Sequence, residues 1–228
     1  GDSYGLPDAF VRRRGEIELS GRRFEAATVY GLPEFDTPAF ATELAAGVLS
    51  RSKHGVAKQT RRMLVYEPGQ GHLPMRCGAD RAGWKRLSQI YLGSRDLLSL
   101  RVTEHNLRKS RPDIGSASFH VPLPVLTGEK RDETDLDLHE VAMDTIVVFL
   151  DPIPGNQIVD GVHAVIRRCL APGGWIAVVG RSTDVGRVIK AVSTTDEIEF
   201  RRIDERKKHG YRVVVFHNSG STTGDCRS

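Results

Sequence analysis

Met63-Leu64-Val65-Tyr66-Glu67-Pro68-Gly69-Gln70-Gly71-His72 is a short apolar run that meets an acid and then two glycines one residue apart. The apolar run predicts a buried strand. The glycines let the backbone turn sharply and approach a ligand without a Cβ in the way. A helix is expected to follow, and a helix N-terminus favours a carboxylate or phosphate. The third glycine of a nicotinamide-dinucleotide loop is missing. By itself the segment reads equally as a plain strand–turn–helix connection.

Downstream, the chain alternates between strand-like and helix-like stretches. A helix is expected over Arg81 to Tyr91. Leu97 to Thr103 then reads as a second strand ending at Glu104-His105. Doubly wound folds place an acid at that strand end to accept hydrogen bonds from ribose hydroxyls. Residues 105–118 begin helix-like and break at Pro112. Phe119 to Leu126 reads as an edge or irregular strand, because Pro122 and Pro124 remove ladder donors. Thr127 to Asp137 is a charged loop.

Asp144 to Leu150 is the strongest strand, continuously apolar as a buried parallel strand is. It runs into Asp151-Pro152-Ile153-Pro154. That loop would lie at the carboxyl edge of the sheet, where open α/β sheets bind ligands. The alternative is a rigid strand-terminating turn. Ile158 to Leu170 is an amphipathic helix, Pro172-Gly173-Gly174 a turn, Trp175 to Val179 a buried strand, and Asp184 to Val192 a helix. Ile198 to Asp204 and Tyr211 to His217 close the chain as a hairpin. Such alternation predicts a doubly wound, mostly parallel sheet with helices on both faces.

Upstream, Glu16 to Leu19 and Arg23 to Ala26 flank Ser20-Gly21 and predict a β-hairpin. Thr37-Pro38 has the form of an N-cap followed by proline at the first helical position. Phe40, Leu44 and Val48 give that helix an apolar stripe. The expected organisation is an N-terminal extension with a hairpin (1–35), a main domain (36–218) and a disordered tail (219–228).

The 228 residues are 39% hydrophobic and 27% charged, which is ordinary globular composition. Cys77, Cys169 and Cys226 lack metal-ligand spacing, so no metal site is expected and the thiols read as free, in a reducing compartment. No apolar run approaches the ~20 residues of a membrane span. A soluble, intracellular, cytoplasmic protein is expected. Net charge is +4, with basic residues clustered at Arg12, Arg13 and Arg14, at Arg22 and Arg23, at Lys58, Arg61 and Arg62, and at Arg201, Arg202, Arg206, Lys207 and Lys208. Such clusters fit a phosphate-bearing partner, RNA, or a merely solvated face.

Together, Glu67-Pro68-Gly69-Gln70-Gly71, Glu104, Asp144 to Pro152 and Leu170 to Val179 resemble successive signatures of class I S-adenosylmethionine-dependent methyltransferases. The Pro-Gly-Gly turn before a strand and the closing hairpin are similar to that family's. Residues 32–49, LPEFDTPAFATELAAGVL, resemble the lead-in of its small-domain group, which includes guanine-N2 ribosomal RNA methyltransferases. The resemblance spans residues 35–217. It implies a Rossmann-like sheet of seven strands with a C-terminal antiparallel hairpin. It implies S-adenosylmethionine as cofactor, held by Glu67, Pro68, Gly69, Gln70, Gly71 and His72 with Glu104 and His105. It implies a catalytic loop at Asp151, Pro152, Ile153 and Pro154, and a base of ribosomal or transfer RNA as acceptor.

The family's loop reads Asn/Asp-Pro-Pro-aromatic. Here Ile153 stands for the second proline and Pro154 for the aromatic ring that stacks on an extruded base. Pro68 interrupts the usual run of small residues. No acid follows the third strand, though His120 is near. Two other readings therefore stay open: a small-molecule or protein methyltransferase, and a methyltransferase fold that serves as a binding or assembly module without catalysis.

Overall fold

A computed structural model describes residues 6–120, 142–150, 158–192 and 200–220. After a 3₁₀ turn at Asp8–Phe10, β1 (Val11–Leu19) and β2 (Arg22–Val29) pair as an antiparallel hairpin. Then come α1 (Phe40–Arg51), the short α2 (Val56–Gln59), β3 (Arg62–Tyr66), α3 (His72–Ala79), β4 (Gln89–Ser94), α4 (Leu97–Ser110) and β5 (Gly115–His120). The second half holds β6 (Met143–Phe149), α5 (Ile158–Cys169), β7 (Leu170–Arg181), α6 (Ser182–Val192), β8 (Phe200–Lys208) and β9 (Tyr211–Asn218).

The sheet order is β5-β4-β3-β6-β7-β9-β8. The first five strands in that order run parallel, while β9 is antiparallel to both β7 and β8. This is the expected doubly wound seven-stranded sheet with a closing hairpin. Alternate residues of each strand face opposite layers. Met63 and Val65 join one core with Ala45, Leu49, Leu73 and Leu100. Leu64 and Tyr66 join the other with Val162, Ile166, Val185 and Val188. Asp144 pins the start of β3 beside β6 by accepting from the Arg61 and Arg62 amides at 2.8 and 2.9 Å.

Local readings differ from the structure at four places. The segment read as a helix over 81–91 is a turn that runs into the start of β4, and the helix sits earlier, at α3. The segment read as a strand from Leu97 is α4. Its buried residues, Ser99, Val102, Thr103, Asn106 and Leu107, recur at helical spacing. Asp96 caps it, accepting from the Leu98 amide at 2.8 Å and from Ser99 at 3.4 Å. The polar members of that buried stripe hid its period. Thr37 does not cap α1, which starts at Phe40 with Ala39 at the cap position and no side-chain bond. Pro172-Gly173-Gly174 lies inside β7 as an irregularity, with Met143 opposite Leu170 but Thr145 opposite Trp175. Residues 121–126 of the expected edge strand, and Ile198, lie outside the described residues.

The β1–β2 hairpin is docked on the domain by two amide side chains. Asn106 of α4 accepts from the Ala27 amide at 2.8 Å and donates to its carbonyl at 2.9 Å. Gln70 does the same to Val29, at 3.0 and 2.9 Å. Ala27 and Val29 are two residues apart, so both present their peptide groups on the same edge of β2, away from β1. Each side-chain amide thus acts as a one-residue strand partner on an otherwise unpaired edge. Apolar contacts among Ala27, Val29, Leu32 and Val102 seal the junction. At the other end of the hairpin, Arg22 reaches Asp80 at 3.1 Å and Arg76 reaches it at 2.9 Å. Burial alone would raise the Asp80 carboxyl. The Arg76 hydrogen bond, the Gly83 amide and the two guanidinium charges outweigh it and hold the group below its usual range.

Asn106→Ala leaves the buried Ala27 peptide group without a partner. It is expected to cost about 1–3 kcal/mol in urea unfolding. An unchanged unfolding midpoint would remove the amide clamp as the hairpin's anchor.

Candidate functional site

The chain winds outward from β3 through β4 to β5, then returns to β6 on the other side of β3. The switch point between β3 and β6 opens a crevice at the carboxyl ends of the strands, where such sheets bind ligands. Three segments line it: Leu32, Pro33, Glu34, Ala39 and Thr42 from the β2–α1 connection and the start of α1; Glu67, Pro68 and Gly69 after β3; and Arg95, Asp96 and Ser99 after β4. Phe149, the last residue of β6, closes it.

Glu67 has a left-handed backbone, φ 56°, uncommon for a residue with a Cβ. Its amide donates to the Gly93 carbonyl at 2.8 Å. Its carboxylate accepts from Ser94 Oγ at 2.7 Å and from the Arg95 amide at 3.2 Å. The β3 loop is therefore tied to the β4 loop through this one side chain. A carboxylate has about four acceptor positions, so capacity remains toward the crevice.

Glu34 is the second carboxylate and also has a left-handed backbone, φ 65°. Thr42 Oγ1 donates to its Oε1. Its Oε2 lies 3.3 Å from His72 Nδ1 and 3.8 Å from where a Cβ on Gly69 would project. Glu34 and Glu67 thus approach the glycine loop from two segments of chain. Strained backbone of this kind costs of order 1–3 kcal/mol per residue and persists where the surroundings over-determine it.

The two glycines act differently. Gly69 (φ 60°) presents its open side to the crevice, and its carbonyl accepts from Ser99 Oγ at 2.7 Å. Gly71 (φ 84°) faces α4, where a Cβ would meet Thr103 Oγ1 at 2.6 Å. Gly71 is thus needed for helix packing rather than for ligand approach.

Of the residues expected to hold the cofactor, Glu67, Pro68 and Gly69 line the crevice. Gln70 is buried and bonded to Val29, so its side chain is turned away. His72 is fully buried behind Glu34. Glu104 and His105 do not lie at a strand end, because Leu97–Ser110 is helical. Glu104 pairs with Arg108 at 2.6 Å and accepts from Ser118 at 3.2 Å. His105 borders a small depression beside the hairpin with Arg14, Glu25 and Asn106. The first acid after the true second strand of the main sheet is Asp96. Asp151, Pro152, Ile153 and Pro154 lie outside the described residues. His120, at the end of β5, pairs through Nε2 with the Arg95 carbonyl at 2.9 Å.

Sequence reasoning missed Glu34, Thr42, Asp96 and Ser99. The signal for Asp96 was its N-cap position before Leu97. Nothing local marks Glu34.

The crevice is acidic. Among its described lining residues are the carboxylates of Glu34, Glu67 and Asp96 and one cation, Arg95, in a chain of net charge +4. The basic clusters do not form one face. Arg22, Arg23, Lys58, Arg61, Arg62, Arg201 and Arg202 lie toward the opposite end of the sheet, since Arg62 opens β3 and Arg201 pairs with His217, itself opposite Trp175. Arg12 and the β8–β9 turn lie at the crevice end, because Tyr211 pairs with Arg181 at the carboxyl end of β7. No group of three or more His, Cys, Asp or Glu among the described residues is arranged to hold a metal. No described helix is long and apolar enough to cross a membrane.

No family model and no curated protein matches the chain. Solved structures do. The T. thermophilus 16S rRNA N2 G1207 methyltransferase, solved with AdoMet and guanosine, superposes with a TM-score of 0.63 at 15% identity over 90% of this chain and 50% of its own. An rRNA methylase from Streptococcus thermophilus gives 0.53 at 13% identity, covering 79% of this chain and 97% of the other. Precorrin-6y C5,15-methyltransferase from Geobacter metallireducens gives 0.51 at 13% identity, covering 86% and 94%. The chain spans half the length of the first of these. At such identities the likeness is one of fold: this is a Rossmann-like methyltransferase fold.

Gly71→Ala adds both backbone strain and a clash with Thr103, whereas Gly21→Ala, at φ 69° with nothing within 4 Å, adds strain alone. Gly71→Ala is expected to lower stability by more than about 1 kcal/mol and by more than Gly21→Ala, as read by thermal unfolding. Equal losses would mean that the contact with α4 imposes nothing.

Proposed function

We propose that this chain is an S-adenosylmethionine-dependent methyltransferase whose acceptor is RNA, a base of ribosomal or transfer RNA. The observation that carries the reading is the acidic crevice at the switch point, lined by Glu34, Glu67 and Gly69. The methyl donor is a cation at sulfur and at its amine, so a carboxylate-lined crevice suits it. When bound, it supplies an electrophilic methyl group to a lone pair on the acceptor.

In this reading the protein binds, aligns and excludes water. Glu67, braced by Ser94 and the Arg95 amide, and Glu34, braced by Thr42, face the donor's cationic end. Gly69 lets the loop backbone come close. Asp96 takes the ribose role that the sequence pattern had assigned to Glu104. Asp151, Pro152, Ile153 and Pro154 supply the catalytic loop. Phe149, two residues earlier, already lines the crevice, which supports that assignment. The methyltransferase unit comprises residues 36–218, the β1–β2 hairpin of the 1–35 extension docks on it, and 219–228 follow it; the protein works in the reducing cytoplasm. The buried free thiol of Cys77 suits that compartment.

The likeness to two structures named for ribosomal RNA supports an RNA acceptor. The likeness to the precorrin enzyme favours a small-molecule acceptor as the second reading.

Titration calorimetry with S-adenosylmethionine tests the donor. Binding is expected, weakened about tenfold in Glu34→Gln and in Glu67→Gln, the scale of a lost hydrogen bond to a charged group. No heat at millimolar ligand would sink the proposal.

Labelled methyl groups are expected to enter total RNA and not protein extract. Asp151→Ala should abolish that transfer with an unchanged unfolding transition. Full activity in this variant would refute the catalytic assignment, and label in a small molecule would select the second reading.

A further inference from the structure

The five exposed large apolar residues among those described are Phe10, Tyr30, Phe35, Phe40 and Leu97. They gather at the carboxyl end of the sheet. Phe35 follows the crevice residue Glu34, Phe40 follows Ala39 and Leu97 follows Asp96. Phe10 and Tyr30 are joined where the Tyr30 amide donates to the Phe10 carbonyl at 3.1 Å. Isolated exposed apolar residues need no explanation, but a gathered set on a rim does.

Two of the rings are already matched with cations. Arg12 Cζ lies 4.7 Å from the Phe35 ring centroid, held there by its ion pair with Asp36 at 3.3 Å. His209 lies 4.5 Å from the Phe40 ring, centroid to centroid, and Lys208 Nζ is 6.0 Å from it. These partners come from opposite ends of the sequence, Arg12 from β1, Lys208 from the end of β8 and His209 from the turn after it. That turn is held at the crevice end by the bond from the Ser182 amide to the Gly210 carbonyl, 2.9 Å. Phe35 and Phe40 both remain 47% exposed.

We propose that Phe35 and Phe40, with Arg12, Lys208 and His209, form a platform that holds an unpaired RNA strand across the mouth of the crevice. It rests on the RNA reading above and names the surface that the acceptor uses. Every base has a π-face, so exposed rings beside cations grip a single strand without regard to sequence. The charge pattern sets the direction. An acidic crevice repels phosphate, whereas the rim carries cations, so the backbone lies on the rim and only a neutral base reaches inward. A cationic peptide fits the crevice but not the rim.

The test uses the full chain and a fluorescein-labelled oligouridylate of about 12 nucleotides, followed by anisotropy. Phe35→Ala and Phe40→Ala are each expected to weaken binding about tenfold and the double variant further, since stacking on one ring contributes that much. Phe40→Trp should retain affinity, and its fluorescence should be quenched by the strand. Lys208→Ala should reduce the salt dependence of binding. Affinity for S-adenosylmethionine, by calorimetry, should be unchanged in all of these variants, which separates loss of the platform from unfolding. Wild-type strand affinity in the double variant would overturn the proposal, as would a duplex that binds as well as the single strand. Donor binding with no affinity for the strand would overturn this proposal while leaving the donor assignment standing. Methyl label entering basic peptides and not RNA would likewise overturn it.

Discussion

The side-chain amide of Gln70 has the donor and acceptor of one peptide group, and it is bonded as one. Its two hydrogen bonds to Val29 sit inside the glycine loop itself, between Gly69, which opens to the crevice, and Gly71, which packs on α4. One residue therefore fixes three things: the path of the loop, the seat of the hairpin, and the position of the chain that leaves the hairpin. That chain carries Glu34 into the crevice. Asn106 repeats the device one pair of residues along β2. A buried peptide edge left open would cost about as much as the bonds that now close it, so the hairpin and the loop hold each other in place.

The crevice follows from this. Glu34 and Glu67 both sit in left-handed backbone, each braced by a hydroxyl, Thr42 for one and Ser94 for the other. Two strained acids on separate segments, lining one crevice with a glycine that offers no Cβ, make a crevice organised before any ligand arrives. Around it the surface changes sign. Acids line the floor, while Arg12 and the β8–β9 turn bring cations to the rim. In the function proposed above, separating the charges by depth would let one site take a cationic donor below and a polyanionic acceptor above.

Some of this was legible in the chain and some was not, for definable reasons. Met63 to Tyr66 and Asp144 to Leu150 were plain as buried strands because both faces of a central strand are covered and the runs from Met63 and from Ile146 onward are apolar. Leu97 to Leu107 misled because its buried stripe includes Ser99, Thr103 and Asn106. Ser99 and Asn106 are satisfied by partners distant in sequence, Gly69 and Ala27. That misreading placed Glu104 at a strand end, whereas it lies inside α4 and Asp96 is the acid that follows β4. Gln70 and His72 were read as ligand-facing from their place in the loop. Their burial depends on the hairpin and on Glu34, neither of which is near them in sequence.

By itself the sequence determined the class of sheet, its parallel core and closing hairpin, and the glycine loop at its centre. These follow from local periodicity and from the few connections a chain of alternating elements permits. Only the tertiary structure decided which residues meet at the loop. Glu34 reaches it from 33 positions before Glu67, and the β8–β9 turn comes to the same rim from the far end of the chain. Side-chain direction at a crevice is set by packing between segments, which leaves no periodic trace in either one.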